Sequence, residues 1–291
     1  MAEPHRLIDR TALRLRRRRA GAGGGPDFLR ARVAEDAWDR LAVTLRPFPV
    51  ALDLASSGEE IIRLLRRGNP QGAAFRTSPE PGPLTSVVCD PDALPLRAES
   101  LDLIVSSLAL QFADDLPGLL AQARRALRPD GLFLAALLGG ETLSELRQSF
   151  AAAEAETEGG VSPRVLPFAD VRGLGGLLQR AGFALPVTDV DRVIVRYDHP
   201  VALMTELRAW GATNVLIERR RAPLRRSTLA RALEIYAGRF ADPDGRVRAT
   251  FEIVWLSGWA PDPGQQQPLR PGSARARLAD ALGVKEIGPN G

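Results

Sequence analysis

Two acids stand where apolar runs end. Asp53 follows Val50, Ala51 and Leu52 in PVALDLASSG (49–58), and Asp90 follows Val87, Val88 and Cys89 in VVCDPDALPL (87–96). An apolar strand that meets an acid and then a turn of small residues before a helix sets backbone N–H groups and a helix N-terminus against a ligand. Here the turn is Ala55, Ser56, Ser57 and Gly58, the form of a nucleotide-cofactor loop. Carboxylates at such strand ends suit a ligand rich in hydroxyls, amines or positive charge. Taken alone, each acid reads equally well as a cap on a loop or helix. A second polar group, Gly139, Gly140, Glu141, Thr142 and Arg147, lies where strand ends would bind a substrate, and Thr142 with Glu145 also predicts a capping box. Gln111 and Phe112 follow another apolar run, while Asp114 and Asp115 are expected to cap a helix beginning at Leu116. No residue demands the role of general base.

Periodicity predicts the elements that would position these groups. Strands are expected at 50–54, near 73–76, and at 84–89, 101–106 and 132–138, with a turn over 128–131. Helices at 59–67 and 116–127 alternate with them, and a helix at 27–45 should cover one sheet edge. Such alternation implies βαβ units and a mostly parallel sheet. Beyond Gly139 the pattern changes. Helices are expected at 141–157, 170–181, 201–211 and 224–237, extended runs at 187–197 and 246–255 as an antiparallel edge pair, and a short helix at 274–282.

Composition narrows the function. The 291 residues are 45% hydrophobic with a net charge of +4, ordinary for a soluble globular protein. No apolar stretch is long enough to span a membrane. Arginine replaces lysine almost everywhere, Lys285 being the sole lysine, yet acids are interleaved and no aromatic platform accompanies the arginines. No specific nucleic-acid partner is therefore expected. The run LRLRRRR (13–19) reads as a solvated helix or partner-docking arm with at most peripheral contact to anionic lipid. Arg219, Arg220, Arg221, Arg225 and Arg226 read as a solvated helix face. One cysteine, Cys89, and two histidines, His5 and His199, exclude an intrachain disulfide and a Cys/His metal site and point to a reducing cytoplasm.

Taken in order, VALDLASSG (50–58), VVCDPDALPL (87–96), SLDLIVSSLALQF (100–112) and ALRPDGLFLAALLGG (126–140) resemble a class I S-adenosylmethionine-dependent methyltransferase. A narrower resemblance covers nearly the whole chain. LIDR (7–10), DFLRARVAEDAWDRL (27–41), GGETLSELR (139–147), GATN (211–214), RATFEIVWLSGWAP (248–261) and QQQPLRPGSA (265–274) look like the mitochondrial complex I assembly-factor branch and its bacterial relatives. The biotin-pathway carrier-protein O-methyltransferases are a more distant likeness. The resemblance implies a seven-stranded, mostly parallel Rossmann-like sheet with an antiparallel edge strand and a helical insertion before the last strand. It implies S-adenosylmethionine as cofactor, with Asp53, Ala55, Ser57 and Gly58 near its methionine part, Asp90, Asp92 and Ala93 around the adenine, and Ser106 and Ser107 where the crevice opens. Gln111, Glu141, Thr142 and Arg147 would face the substrate.

Two departures bear on that reading. Ala55 and Ser57 stand where the family has glycines, which permit positive φ and close backbone approach. The acid expected after the second strand is missing: Thr77 and Ser78 take its place, with Glu80 displaced beyond Pro79. The chain divides on this reading into a basic arm and helix (1–46), a cofactor-binding core (47–140), the rest of the sheet with a helical lid (141–262) and a Pro/Gln-rich tail with a short helix (263–291). Three functions stay open. The first is a methyltransferase acting on a protein or small-molecule acceptor, linked through the resemblance to a respiratory-complex subunit whose arginine is hydroxylated. The second is a pseudoenzyme scaffold with impaired cofactor binding, and the third a carrier-protein carboxyl O-methyltransferase. No resident metal is expected. Trp210, Asn214, Trp255, Trp259, Gln266 and Arg270 could form a substrate or partner surface, Trp255 fitting the core better.

Overall fold

The strands whose residues are apolar on both faces lie at the centre. β1 (Val50–Leu54) and β4 (Leu101–Ser107) are buried almost throughout and pair in parallel, Leu52 opposite Ile104. Outward on one side come β2 (Ala73–Ser78) and β3 (Val87–Val88), and on the other β5 (Leu127–Leu138), β7 (Val247–Trp259) and β6 (Ala184–Tyr197), giving the order β3-β2-β1-β4-β5-β7-β6. The strands from β3 to β5 are parallel. β7 runs against both neighbours, so the late strands form the antiparallel edge pair that their sequence suggests. The computed structural model describes residues 6–23 and 28–265, the side chains of 21–23 excepted.

Helices cover both faces. α4 (Leu116–Ala126) and α6 (Val171–Arg180) close one core with Ile104, Phe133 and Leu256. The other core joins α2 (Phe28–Ala42), α3 (Glu60–Gly68), α5 (Ser144–Thr157), α7 (Pro200–Ala209) and α8 (Arg226–Phe240) around Leu103, Leu134 and Phe251. α2 was expected at a sheet edge and lies on a face: Leu29, Val33, Ala34 and Ala37 are its buried stripe, and its polar side reaches β6 through Arg32–Asp191 and Arg40–Asp189 at 2.9 and 2.6 Å. β3 is shorter than its apolar run because its partner β2 ends at Ser78, leaving only Thr77 and Ser78 to pair with Val87 and Val88. The turn expected over 128–131 falls inside β5, where Asp130 takes φ +63° and Arg128 is anchored on Asp102 at 2.8 Å.

The first helix, α1 (Arg10–Gly23), is held at its start. Asp9 accepts from the Ala12 amide at 2.9 Å and from Arg219 at 2.8 Å, and Ile8 pairs with Leu216. Arg219 is therefore a tether, whereas Arg220, Arg221, Arg225 and Arg226 are exposed as expected, with Arg220 and Arg225 pairing with Glu158 at 2.6 and 3.5 Å. The chain through Pro261 forms one unit and Asp262–Gly291 a second, of which a turn closed by the Gly264 amide on Asp262 is described. The helix expected at 274–282, with Gln266 and Arg270, lies outside the described residues. Among those described, no helix is long and apolar enough to cross a membrane.

Candidate functional site

Packing around β1 leaves Asp53 fully buried. Its Oδ1 accepts from the Ser56 amide at 3.3 Å, and Arg76 Nε stands 3.4 Å from Oδ2 without a hydrogen bond reaching either atom. Burial pushes the Asp53 carboxyl up to about 6, the Ser56 hydroxyl and Arg76 acting in the opposite sense. Arg76, also buried, turns its other nitrogen to the Ser56 carbonyl at 3.1 Å.

Of the two residues standing for glycines, only Ala55 takes a left-handed backbone, at φ +53°, where an L-residue is disfavoured by about 1 kcal/mol. Its amide donates to both the carbonyl and the hydroxyl of Thr77 at 3.2 Å. Ser57 carries no such strain and contributes bonds instead: its amide donates to the Ser107 carbonyl at 3.0 Å and its hydroxyl to the Leu108 carbonyl. Ser56 Oγ accepts from the Ser107 amide at 2.9 Å. The serines thus tie the loop to β4. Ser106, whose hydroxyl bonds the Leu54 carbonyl at 2.8 Å, joins them from the other strand. Ser57 and Ser106, both expected at the ligand, spend their hydroxyls within the protein, and Ser107 is buried at the same junction. Gly58 follows at the start of α3.

The displaced acid reaches the cleft. Glu80 lines it beside Ala55 and Asp90, and its Oε1 is buried without a hydrogen-bond partner. Pro79 ends the strand and hid this placement from the sequence pattern. Asp90 is half-exposed; its Oδ1 accepts from the Asp92 amide at 3.0 Å and its carbonyl from the Ala93 amide at 3.0 Å, leaving Ala93 on the surface. Asp92 turns away toward α4, near the amides of Asp114 and Asp115 at 3.4 Å, and burial pushes its carboxyl up.

α1 roofs this cleft. Arg10 sits among three acids, 2.5 Å from Asp92, 3.1 Å from Asp114 and 4.0 Å from Asp90. Arg17 lies over the Phe112 ring at 4.9 Å, where burial pulls its guanidinium down to about 10 against the attraction of Glu80. The Arg-rich run, read from sequence as a solvated helix or partner-docking arm, is a helix with Arg14, Arg18 and Arg19 exposed, and its Leu13 and Arg17 also cover the cleft as a lid, beneath which about 20 Å³ is kept. Asp115 caps α4 through the Gly118 amide at 2.8 Å as expected, whereas Asp114 accepts the Leu7 and Ile8 amides at 3.0 and 3.1 Å and holds the approach to α1.

The loop after β5 does not form the capping box. Thr142 is fully buried, its hydroxyl exchanging bonds with the Glu252 backbone at 3.1 and 3.0 Å, and Glu145 accepts from Thr250 of β7. β7 competes for both side chains and wins, so neither faces a ligand. Arg147 donates to the Gly140 carbonyl at 3.0 Å and Glu141 is exposed. Gln111 donates to the Leu108 carbonyl at 2.9 Å while its Oε1 is buried without a hydrogen bond. Next to it, Phe112 borders both the cleft and a second cavity of about 350 Å³, walled by Phe150, Phe168, Met204, Leu207 and Trp210. Asn214 belongs to that wall; Trp255 is core, stacked under Arg40 at 4.5 Å, and Trp259 meets Arg46 at 5.3 Å.

S-adenosylmethionine fits the cleft by its donors. In the cleft wall, the acceptors suited to a ribose diol and an adenine amine are Glu80 Oε1, which no hydrogen bond uses, and the half-exposed Asp90, while Asp53 is fully buried against Arg76 behind the lining. Arg17 is the cation of the lining nearest Phe112. Space is lacking beneath α1, so entry requires that helix to move. Among the described residues no group of acids, histidines and cysteine is arranged to hold a metal.

The methyltransferase-domain family profile matches residues 50–135. The mitochondrial arginine hydroxylase NDUFAF5 of Danio rerio is 36% identical over 270 residues, covering 90% of this chain and 84% of its own. The malonyl-[acyl-carrier protein] O-methyltransferase of Laribacter hongkongensis is 38% identical over 272 residues, covering 93% and 80%. The YcgJ protein of Bacillus subtilis shares the fold alone, at 11% identity and a TM-score of 0.51 over 79% of this chain and 99% of that one. An intact methyltransferase sheet, a loop and acids suited to the cofactor, and relatives spanning both chains together show that the chain belongs to the class I S-adenosylmethionine-dependent methyltransferase family, related to the NDUFAF5 branch.

Proposed function

We propose that the protein transfers the methyl group of S-adenosylmethionine to an acceptor seated in the cavity beyond Phe112. The observation that carries this reading is the shared wall: Phe112 borders the cofactor cleft on one side and the 350 Å³ cavity on the other. A cavity of that size lies in the range of small-molecule sites. The cofactor supplies an electrophilic methyl. Glu80 and Asp90 would hold its hydroxyls and amine, Ala55 of the first loop and Phe112 would line its reacting end, and α1 would keep water out. Methyl transfer depends chiefly on an in-line approach, so positioning by the cavity walls can supply most of the catalysis. Of the relatives, one is a malonyl-[acyl-carrier protein] O-methyltransferase, which favours a carboxylate oxygen as acceptor, and the other hydroxylates an arginine, which favours a protein substrate; a respiratory-complex subunit is the candidate protein partner. The half-buried single cysteine Cys89 supports a reducing, cytoplasmic setting.

The scaffold reading has an observation of its own: Arg10 sits on the acids of the adenine side, and the cleft beneath it holds about 20 Å³. Isothermal titration with S-adenosylmethionine and S-adenosylhomocysteine separates the two. Micromolar binding is expected, weakened about tenfold, roughly 1.4 kcal/mol, by Glu80→Gln and by Asp90→Ala. No binding up to about millimolar, roughly −4 kcal/mol, would leave the scaffold.

A further inference from the structure

We infer that the cavity beyond Phe112 takes an amphipathic organic acid: an apolar body among Phe150, Met204 and Trp210, with its anionic end at Arg208. This names the ligand class of the site proposed above; the ligand's role as acceptor rests on that reading and requires a second group, a nucleophilic oxygen or nitrogen at the Phe112 end, to take the methyl, the carboxylate at Arg208 serving to anchor it.

The walls decide the body. Apart from Arg164, Arg208, Thr213 and Asn214, the side chains around the cavity are apolar or aromatic. Desolvating a hydrocarbon against them is favourable at about 25 cal/mol per Å². The charges decide the end. No Asp or Glu is among the described residues lining the cavity, so a guanidinium or ammonium placed there would be buried without a counter-ion, which is strongly unfavourable. Of the two arginines, Arg164 is already neutralised: its Nε donates to the buried Glu154 at 2.8 Å. Asn214 is also committed, its amide nitrogen on the Pro163 carbonyl at 2.7 Å and its oxygen on the Leu216 amide at 3.1 Å. Arg208 is different. It is solvent-exposed on α7 beside exposed Ala212, which places the mouth there, and among the described residues its guanidinium has no hydrogen bond or ion pair. The available recognition chemistry is therefore an oily interior and a cation at the entrance. The walls suit an organic acid and disfavour an arginine side chain as the deep occupant.

The test uses the full chain and three probes of equal chain length: decanoate, decanol and decylamine, titrated calorimetrically. Decanoate is expected to bind, with decylamine at least about tenfold weaker. Arg208→Glu should weaken decanoate about tenfold and leave decanol unchanged. Met204→Trp, which fills the cavity, should remove binding of all three; Arg208→Glu, a surface change, keeps the test decisive if that variant fails to fold. Decylamine binding as tightly as decanoate, or decanoate binding indifferent to Arg208→Glu, would overturn the inference. S-adenosylmethionine is titrated into the same samples. Decanoate binding without cofactor binding would remove the methyl-transfer reading and keep the cavity assignment, and the converse would do the reverse.

Discussion

Asp53→Asn should stabilise the protein more as the pH rises. In the fold the Asp53 carboxyl is pushed from 3.8 up to about 6, first by burial. At about 1.4 kcal/mol per factor of ten in proton activity, ionising it is roughly 3 kcal/mol less favourable in the fold than in the unfolded chain. Between those two values the native state holds more protons than the unfolded one, so this group's contribution is fully present below about pH 4 and is lost as the pH rises through about 6. Asparagine has no such loss. It does leave Arg76 facing a neutral amide, a change that is constant over this range because the guanidinium stays charged. Urea unfolding of both proteins from pH 4.5 to 7.5, followed by tryptophan fluorescence, isolates the group in the difference between the two curves. That difference should move by roughly 2 kcal/mol in favour of asparagine across the range. A flat difference, or one moving the other way, would refute the reasoning: the attraction of Arg76 at 3.4 Å would then outweigh burial.

The two substituted glycine positions should respond with opposite signs. Ala55→Gly relieves the strained backbone at φ +53° and should raise stability by about 0.5 kcal/mol after the greater freedom of glycine in the unfolded chain is deducted. Ser57→Gly loses the hydroxyl bond to Leu108 and should lower stability by about 1 kcal/mol; thermal melts of the pair check both. Arg10→Ala frees α1 from the three acids it bridges. It should raise S-adenosylmethionine affinity about fivefold, roughly 1 kcal/mol, and expose α1 to limited proteolysis; a fall in affinity would mean that the helix holds the cofactor in place.

The centre of the sheet was legible because β1, β4 and β5 carry a two-sided apolar pattern that few alternatives satisfy. β1 matches its expected bounds, and the late antiparallel pair follows from two long extended runs separated by helices. Side-chain partnerships were less legible. Thr142 and Glu145 have the spacing of a capping box, but β7, more than 100 residues later, offers better partners. Periodicity carries local information, and a contact of that sequence separation leaves no trace in it. The same limit hid Arg76, whose place in a strand of mixed polarity gave no sign that it would be buried against Asp53. Charge runs mislead for a related reason. Arg219 looks solvated until its distant acid, Asp9, is known.

The lid changes what a binding constant would mean. Asp90, Asp92 and Asp114 converge on one cation, and without Arg10 their mutual repulsion would loosen the β3–α4 side of the cleft. An adenine amine carries no full charge and cannot replace a guanidinium there, so cofactor entry trades an ion-pair cluster for hydrogen bonds. If the closed lid is favoured by about 2 kcal/mol, the measured dissociation constant is about thirtyfold weaker than the open cleft's own. Modest affinity is thus compatible with an intact site. The ionic strength separates the two causes. Salt screens the partly exposed Arg10 cluster, so an intact but lidded cleft should bind S-adenosylmethionine more tightly at about 0.5 M salt than at 0.05 M, while a cleft spoiled by the Ala55 methyl should show no such gain.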